Sequence, residues 1–172
     1  MALLETVRAE RLAKIARLKE AGMEPYPAYT GRTHSVDQFL ENHATLEKNS
    51  EQVTLAGRVM SLRGHGGSLF IDIFDGVKGQ CFVQREKLGE SSYELFINTV
   101  DAGDVVEVSG MAFTTKRGMP SLDATSWRML AKSLRRRSTR PWSSDSFTDI
   151  CRTASASPRL HPNDAPVPRS RS

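Results

Sequence analysis

Phe70 and Arg63 are the residues whose type and spacing point most directly to a chemistry. Phe70 stands in the run Ser68 to Phe74, where Phe70, Asp72 and Phe74 alternate with Leu69, Ile71 and Ile73. A strand sends alternate residues to opposite faces. The apolar set Leu69, Ile71 and Ile73 takes the inner face, which leaves Phe70 on the outer one among polar neighbours. An aromatic ring displayed in this way, beside an arginine on the preceding run, is a stacking platform for an unpaired base. The ordinary place for a strand aromatic is the core, so Phe70 alone does not settle the matter. The elements around it must decide.

Other chemistries find little support. His34, His43 and His65 stand in polar or turn contexts and His161 lies near the end of the chain. No Ser/His/Asp or Cys/His arrangement suggests nucleophilic catalysis, so no catalytic residue is assigned. Asp72 and Asp75 fall on opposite faces of an extended run, and Asp75 with Gly76 reads as a turn. Cys81 and Cys151 lack metal-ligand spacing, so no metal site is expected. Cys81 reads as a small core residue.

The positioning elements are mostly strands. Val53, Leu55, Gly57 and Val59 alternate with Gln52, Thr54 and Arg58, and Gly57 suits a bend within the run. Gly64-His65-Gly66-Gly67 breaks the pattern and supplies a hairpin turn. After Asp75-Gly76 a third run spans Lys78 to Gln84, with Gln80 and Phe82 on one face and Cys81 and Val83 on the other. Ser91 with Glu94 forms a capping box that starts a helix carrying Leu95, Phe96 and Val100. Asp101 to Asp104 turns the chain. Val105 to Val108 with Met111 and Phe113 makes a fourth run, and Lys116-Arg117-Gly118 the next hairpin. In the fifth, Leu122, Ala124, Ser126 and Arg128 alternate with Asp123, Thr125 and Trp127. Five strands with one helix between the third and fourth is the order of an OB-fold, a Greek-key barrel whose second and third strands form its nucleic-acid face.

Helices precede the barrel. Leu4, Val7, Leu12, Ile15 and Leu18 recur at helical spacing over Leu3 to Ala21, with Arg8, Arg11, Lys14, Arg17 and Lys19 elsewhere on the cylinder. Gly22 ends that helix, and Pro25-Tyr26-Pro27 follows as a stiff extended segment. Ser35 and Gln38 box the start of a second, short helix bearing Val36, Phe39 and Leu40. Asn42 to Glu51 reads as a polar connector. The predicted organisation is a helical extension over 1–51, a barrel over 52–134 and a separate tail over 135–172.

Charge sharpens that division. The chain has 172 residues and a formal net charge of +4. From Arg135 onward stand 8 arginines and 3 aspartates, a net +5, so the other 134 residues hold 16 basic and 17 acidic groups, a net −1. A nucleic-acid site in the body must then be a local patch that uses stacking and hydrogen bonds as well as charge. The tail is rich in Arg, Ser, Thr, Asp and Pro without apolar periodicity, and is expected to be disordered. Neither an apolar run of membrane-spanning length nor a signal peptide is visible, which sets a cytoplasmic expectation.

The run of Arg11, Lys14, Leu18-Lys19-Glu20-Ala21-Gly22-Met23-Glu24-Pro25-Tyr26-Pro27, the segment Thr54 to Arg63, the strand Ser68 to Asp75, the turn Asp101 to Gly110 and the ending Trp127 to Arg135 together resemble the anticodon-binding domain of class II lysyl-tRNA synthetases. The resemblance runs from about Glu10 to Arg135. It implies that Phe70 stacks on an anticodon base, that Arg63 contacts the anticodon and that Gln80 reads a uracil edge, an amide being able both to donate and to accept. Met119 stands where the family usually has an acidic residue, and Leu62 where a basic one is common. The intact family joins lysine to its tRNA with ATP and magnesium, as a homodimer. The resemblance stops at Arg135, and the expectation is a fragment cut before the catalytic domain, or a subunit whose catalytic partner is another chain. Such a chain binds tRNA but no cofactor, forms no lysyl-adenylate by itself and is a monomer or weak dimer. The alternative is a free-standing OB-fold protein for single-stranded nucleic acid, using the tail as well as the barrel.

Overall fold

The computed structural model describes residues 2–134. The expected tail over 135–172, with Cys151 and His161, lies outside the described residues. Three helices, α1 (Ala2–Glu20), α2 (Val36–Glu41) and α3 (His43–Asn49), precede the strands β1 (Gln52–His65), β2 (Ser68–Phe74) and β3 (Lys78–Gln84). Helices α4 (Arg85–Leu88) and α5 (Glu90–Thr99) follow, then strands β4 (Val105–Thr114) and β5 (Pro120–Ala131).

The strands close into a barrel in the order β1-β2-β3-β5-β4, with β3 and β5 paired in parallel and the other neighbours antiparallel. This is the expected five-strand architecture. The long strand β1 serves two partners, pairing β4 along its first half and β2 along its second. Its register with β2 shifts between Val59 and Ser61, so the bend falls just beyond Gly57. Val53, Leu55, Val59, Ile71, Ile73, Cys81 and Val83 are fully buried, as the period-2 pattern requires.

Five expectations need correction. Asn42 to Glu51 is not a connector: α3 occupies most of it, burying His43 and Leu46 and placing the His43 ring edge-on against Phe39 at 5.4 Å. Its polarity hides two inward positions three residues apart, enough for one short helix. In α1 the expected apolar stripe is wrong at two places, since Arg11 is buried and Leu12 exposed. Arg11 turns inward because it donates to the Ser133 carbonyl at 2.5 Å and the Ala102 carbonyl at 3.3 Å. Gly64 and His65 belong to β1, which shortens the hairpin turn to Gly66-Gly67.

Two helices, not one, link β3 to β4, and Ser91 is not the cap: α5 begins one residue earlier, behind Gly89. Glu94 instead accepts from Arg85 at 3.1 Å. Finally, β5 does not alternate throughout. Leu122 and Ala124 are buried, and so are Trp127 and Met129, because the register with β4 shifts between Ser109 and Gly110. A bulge at Thr125 reverses the parity of the strand's second half.

The other local signals act as expected. Gly22, at φ +76°, closes α1: its N–H bonds the Lys19 carbonyl at 2.9 Å and the Met23 N–H the Leu18 carbonyl at 2.9 Å, a Schellman pair. Ser35 Oγ accepts from the Gln38 N–H at 3.1 Å while Gln38 Oε1 accepts from the Ser35 N–H at 3.0 Å. Phe96 plugs the barrel, fully buried, and meets the Trp127 ring edge-on at 4.9 Å.

Candidate nucleic-acid interface

Register brings the predicted residues together on the outer face of β1, β2 and β3. Arg63 lies directly across from Phe70, and Phe70 directly across from Phe82. Asp72 lies across from Ser61 on one side and Gln80 on the other. Gln80 is therefore diagonal to Phe70. Cross-strand partners share a face, so Arg63, Phe70 and Gln80 line one cleft of about 910 Å³.

Phe70 is half-buried, not freely exposed, because its ring stacks on Phe82 at 4.4 Å with the planes 23° apart. Phe82 in turn meets Phe113 of β4 at 5.9 Å. The floor of the cleft is thus a row of three rings, of which the alternation singled out only the first. Parity could have found Phe82, which shares the face of Gln80. Phe113 comes into reach only through the closure of the barrel.

Gln80 is held by a neighbour that sequence reasoning missed. Ser121 of β5 donates to Gln80 Oε1 at 2.9 Å. The parallel pairing of β3 with β5 sets Cys81 beside Leu122 and so Gln80 beside Ser121. With Oε1 engaged, the amide offers Nε2–H donors to the cleft. A fixed donor of this kind suits a carbonyl oxygen better than an imino N–H.

Cations rim the same space. Arg63, Lys78, Lys116 and Arg117 line it, against one acid, Asp72. Asp72 is buried and accepts from Ser61 Oγ at 2.6 Å, Arg63 Nη2 at 2.8 Å and Lys78 Nζ at 3.0 Å. Burial alone would raise its pKa; the hydrogen bonds from Ser61 and Lys78 and the charges of Lys78 and Arg63 outweigh it and hold the carboxyl below its usual value. The body is near neutral, yet the cleft is locally basic, as a site for a polyanion needs.

Met119 lines the cleft and is exposed, on a hairpin tied by its carbonyl to the Thr115 N–H at 3.0 Å. Leu62 does not line it. It pairs with Ile71 and packs against the core, so a basic residue at that position would not face the cleft. Asp75 is also elsewhere, accepting from the Val36 N–H at 3.1 Å and Arg32 at 3.2 Å. Cys81 is buried beneath the floor, and burial followed by the Asp72 charge pushes its thiol up to about 12. Among the described residues no His, Cys, Asp and Glu group could hold a metal ion, and no helix is long and apolar enough to cross a membrane.

Comparison with known proteins agrees with the barrel fold. Residues 53–130 match the tRNA anti-codon family, described as an OB-fold nucleic acid binding domain. The chain is 38% identical to the lysine–tRNA ligase of Roseiflexus castenholzii over 133 residues, 76% of this chain and 27% of that protein. It is 40% identical to the lysine–tRNA ligase of Pelotomaculum thermopropionicum over 132 residues, 76% of this chain and 25% of that protein. The lysine–tRNA ligase of Methanoculleus marisnigri is 35% identical over 127 residues, 72% of this chain and 25% of its own length. The chain therefore spans about a quarter of the length of the curated relatives it matches.

Proposed function

We propose, from the match of residues 53–130 to the tRNA anti-codon family of OB-fold nucleic acid binding domains, that the cleft holds the anticodon of lysine tRNA. The observation that carries the reading is the convergence of Phe70, Arg63 and Gln80 on one basic cleft floored by stacked rings. Unpaired bases splay out, stack on aromatic planes and offer their edges to side-chain amides and guanidinium groups. Phe70 supplies the stacking plane. Gln80, held by Ser121, donates from Nε2 to a uracil carbonyl. Arg63 donates to the anticodon at the open end of the ring row. Lys116 and Arg117 on the hairpin face the phosphates.

In a lysine–tRNA ligase such a domain grips the anticodon while lysine is joined to the far end of the tRNA with ATP and magnesium. We extend that setting, in the cytoplasm and with the homodimer of the intact family, as a proposal for the protein of which this domain forms part. This chain by itself is expected to sediment as a monomer or weak dimer.

Titration with a fluorescent lysine anticodon stem-loop tests the reading, with competition by a stem-loop of altered anticodon and by a general single-stranded DNA. The cognate stem-loop should win by a wide margin. If single-stranded DNA displaces it with equal ease, the domain is a general single-strand binder and the anticodon reading is wrong.

A further inference from the structure

We infer that Asp72 is the positioning residue of the cleft: it holds Arg63 and Lys78 as fixed donors to base edges, so that the site reads bases and does not merely attract phosphate. The inference rests on the anticodon reading and adds to it what governs discrimination.

Asp72 is the one acid lining a cleft otherwise rimmed by cations. A negative charge there repels a nucleic acid. On charge alone the site would be better without it. Its geometry explains its place. Asp72 sits on β2 between Arg63 of β1 and Lys78 of β3, with Ser61 of β1 directly across from it, and all three donate to it within 3.0 Å. Its side chain is 5% exposed, whereas those of Arg63 and Lys78 are 59% and 63% exposed.

Long cationic side chains at such exposure sample many rotamers, and ordering them on binding costs free energy. Tethering one nitrogen of each to a buried carboxylate removes that freedom beforehand. Arg63 is bound through Nη2, so the rest of its planar fork is presented at a set angle. Lys78 uses one N–H of its three on the same carboxylate. A roaming ammonium or guanidinium serves any phosphate as a point charge, whereas a fixed fork above an aromatic floor matches the in-plane acceptors of a stacked base. The ligand class is a base whose exposed edge carries acceptor atoms.

The two views of Asp72 predict opposite signs for Asp72→Asn, which keeps the shape and a partner for Ser61 but removes the charge. Binding is measured by titration with the lysine anticodon stem-loop and with one of altered anticodon, at two salt concentrations. A positioning role predicts about tenfold weaker cognate binding with the altered stem-loop bound as before or more tightly, so that discrimination falls about tenfold and the salt dependence steepens. Cognate binding that is unchanged or tighter, with discrimination kept, overturns the inference. Equal weakening toward both stem-loops also overturns it, since that is the mark of a structural role only.

Arg63→Lys covers the case in which Asp72→Asn does not fold. Arg63 is exposed and its charge is conserved in the variant, but lysine has no fork to pin. Discrimination should again fall severalfold, and retention of the parental ratio refutes the inference. The parent protein separates the two readings. A parent that does not distinguish the stem-loops overturns the anticodon reading and this inference with it. A parent that does, beside variants that keep its ratio, overturns this inference alone.

Discussion

Phe70 sits half in the barrel's surface and half out, and the difference can be measured. Its ring leans on Phe82 at 4.4 Å, so replacement by alanine removes a ring stack as well as the proposed base platform. Phe70→Ala should lower stem-loop binding by roughly 1–3 kcal/mol and stability by about 1 kcal/mol. Ile71 is fully buried, one residue on and on the opposite face. Ile71→Ala should cost about 2–5 kcal/mol of stability. Urea unfolding beside RNA titration separates the pair, and a Phe70→Ala protein as unstable as Ile71→Ala would show that the face is assigned wrongly. That face was legible from alternation alone, since Leu69, Ile71 and Ile73 can only go inward. What holds the outer residues was not. Ser121 on Gln80, and Asp72 between Arg63 and Lys78, depend on which strand lies beside which and in what register. A period of two carries no trace of that.

At the scale of elements, the strands could be read wherever alternation persists, and the reading failed where a bulge resets it. In β5 the residue skipped at Thr125 turns Trp127 and Met129 inward, although strict alternation would send the even-numbered positions there. The clue stood in the partner strand. A Cβ on Gly110 would come within 2.0 Å of the Asp123 carbonyl oxygen and 3.0 Å of the Ala124 Cα, both backbone atoms. Gly110 is thus the residue that lets β4 approach the bulge. Gly110→Ala should destabilise the barrel by at least about 2 kcal/mol, and a melting temperature equal to the parent's would contradict this packing. Short helices were hard to read for another reason. The seven residues of α3 hide just two buried positions, and Glu47 fixes the helix by accepting from the Thr114 N–H and Oγ1 at 2.8 Å each. Helix periodicity needs more turns than that to declare itself.

For the molecule as a whole, the order of elements was plain in the chain, but its charged keystone was not. Lys132 reads as one more surface lysine, yet its side chain is fully buried. All three ammonium protons are used, on the Thr99 carbonyl at 2.6 Å, Asp101 at 2.5 Å and Asp104 at 2.6 Å. Lys14 of α1 reaches Asp101 at 2.6 Å, Arg11 the Ser133 carbonyl, and Tyr26 the Lys132 carbonyl at 2.9 Å. Lys132→Met would leave buried Asp104 with Arg11, 4.0 Å away, in place of a directly bonded cation and should cost about 3–5 kcal/mol in urea unfolding; a loss under about 1 kcal/mol would contradict that. Acid should act through the same carboxylates. Burial opposes ionisation of Asp72, Asp101 and Glu107, but their hydrogen bonds and cationic partners prevail and lower all three pKa values. A lowered folded pKa gives stability that is complete above the ordinary carboxylate range, about pH 4, and is lost as the pH falls through the folded values. The urea midpoint should be level from neutrality to about pH 5 and drop below pH 4, and a midpoint that rises on acidification would contradict the ion-pair assignments. The charged keystone also has a mechanical consequence. A pull applied at Leu134 would meet these contacts before it reached the barrel. Load would pass in shear into α1, so the first helix and the last strand would yield as one joint, seen as a single rupture in a force–extension trace.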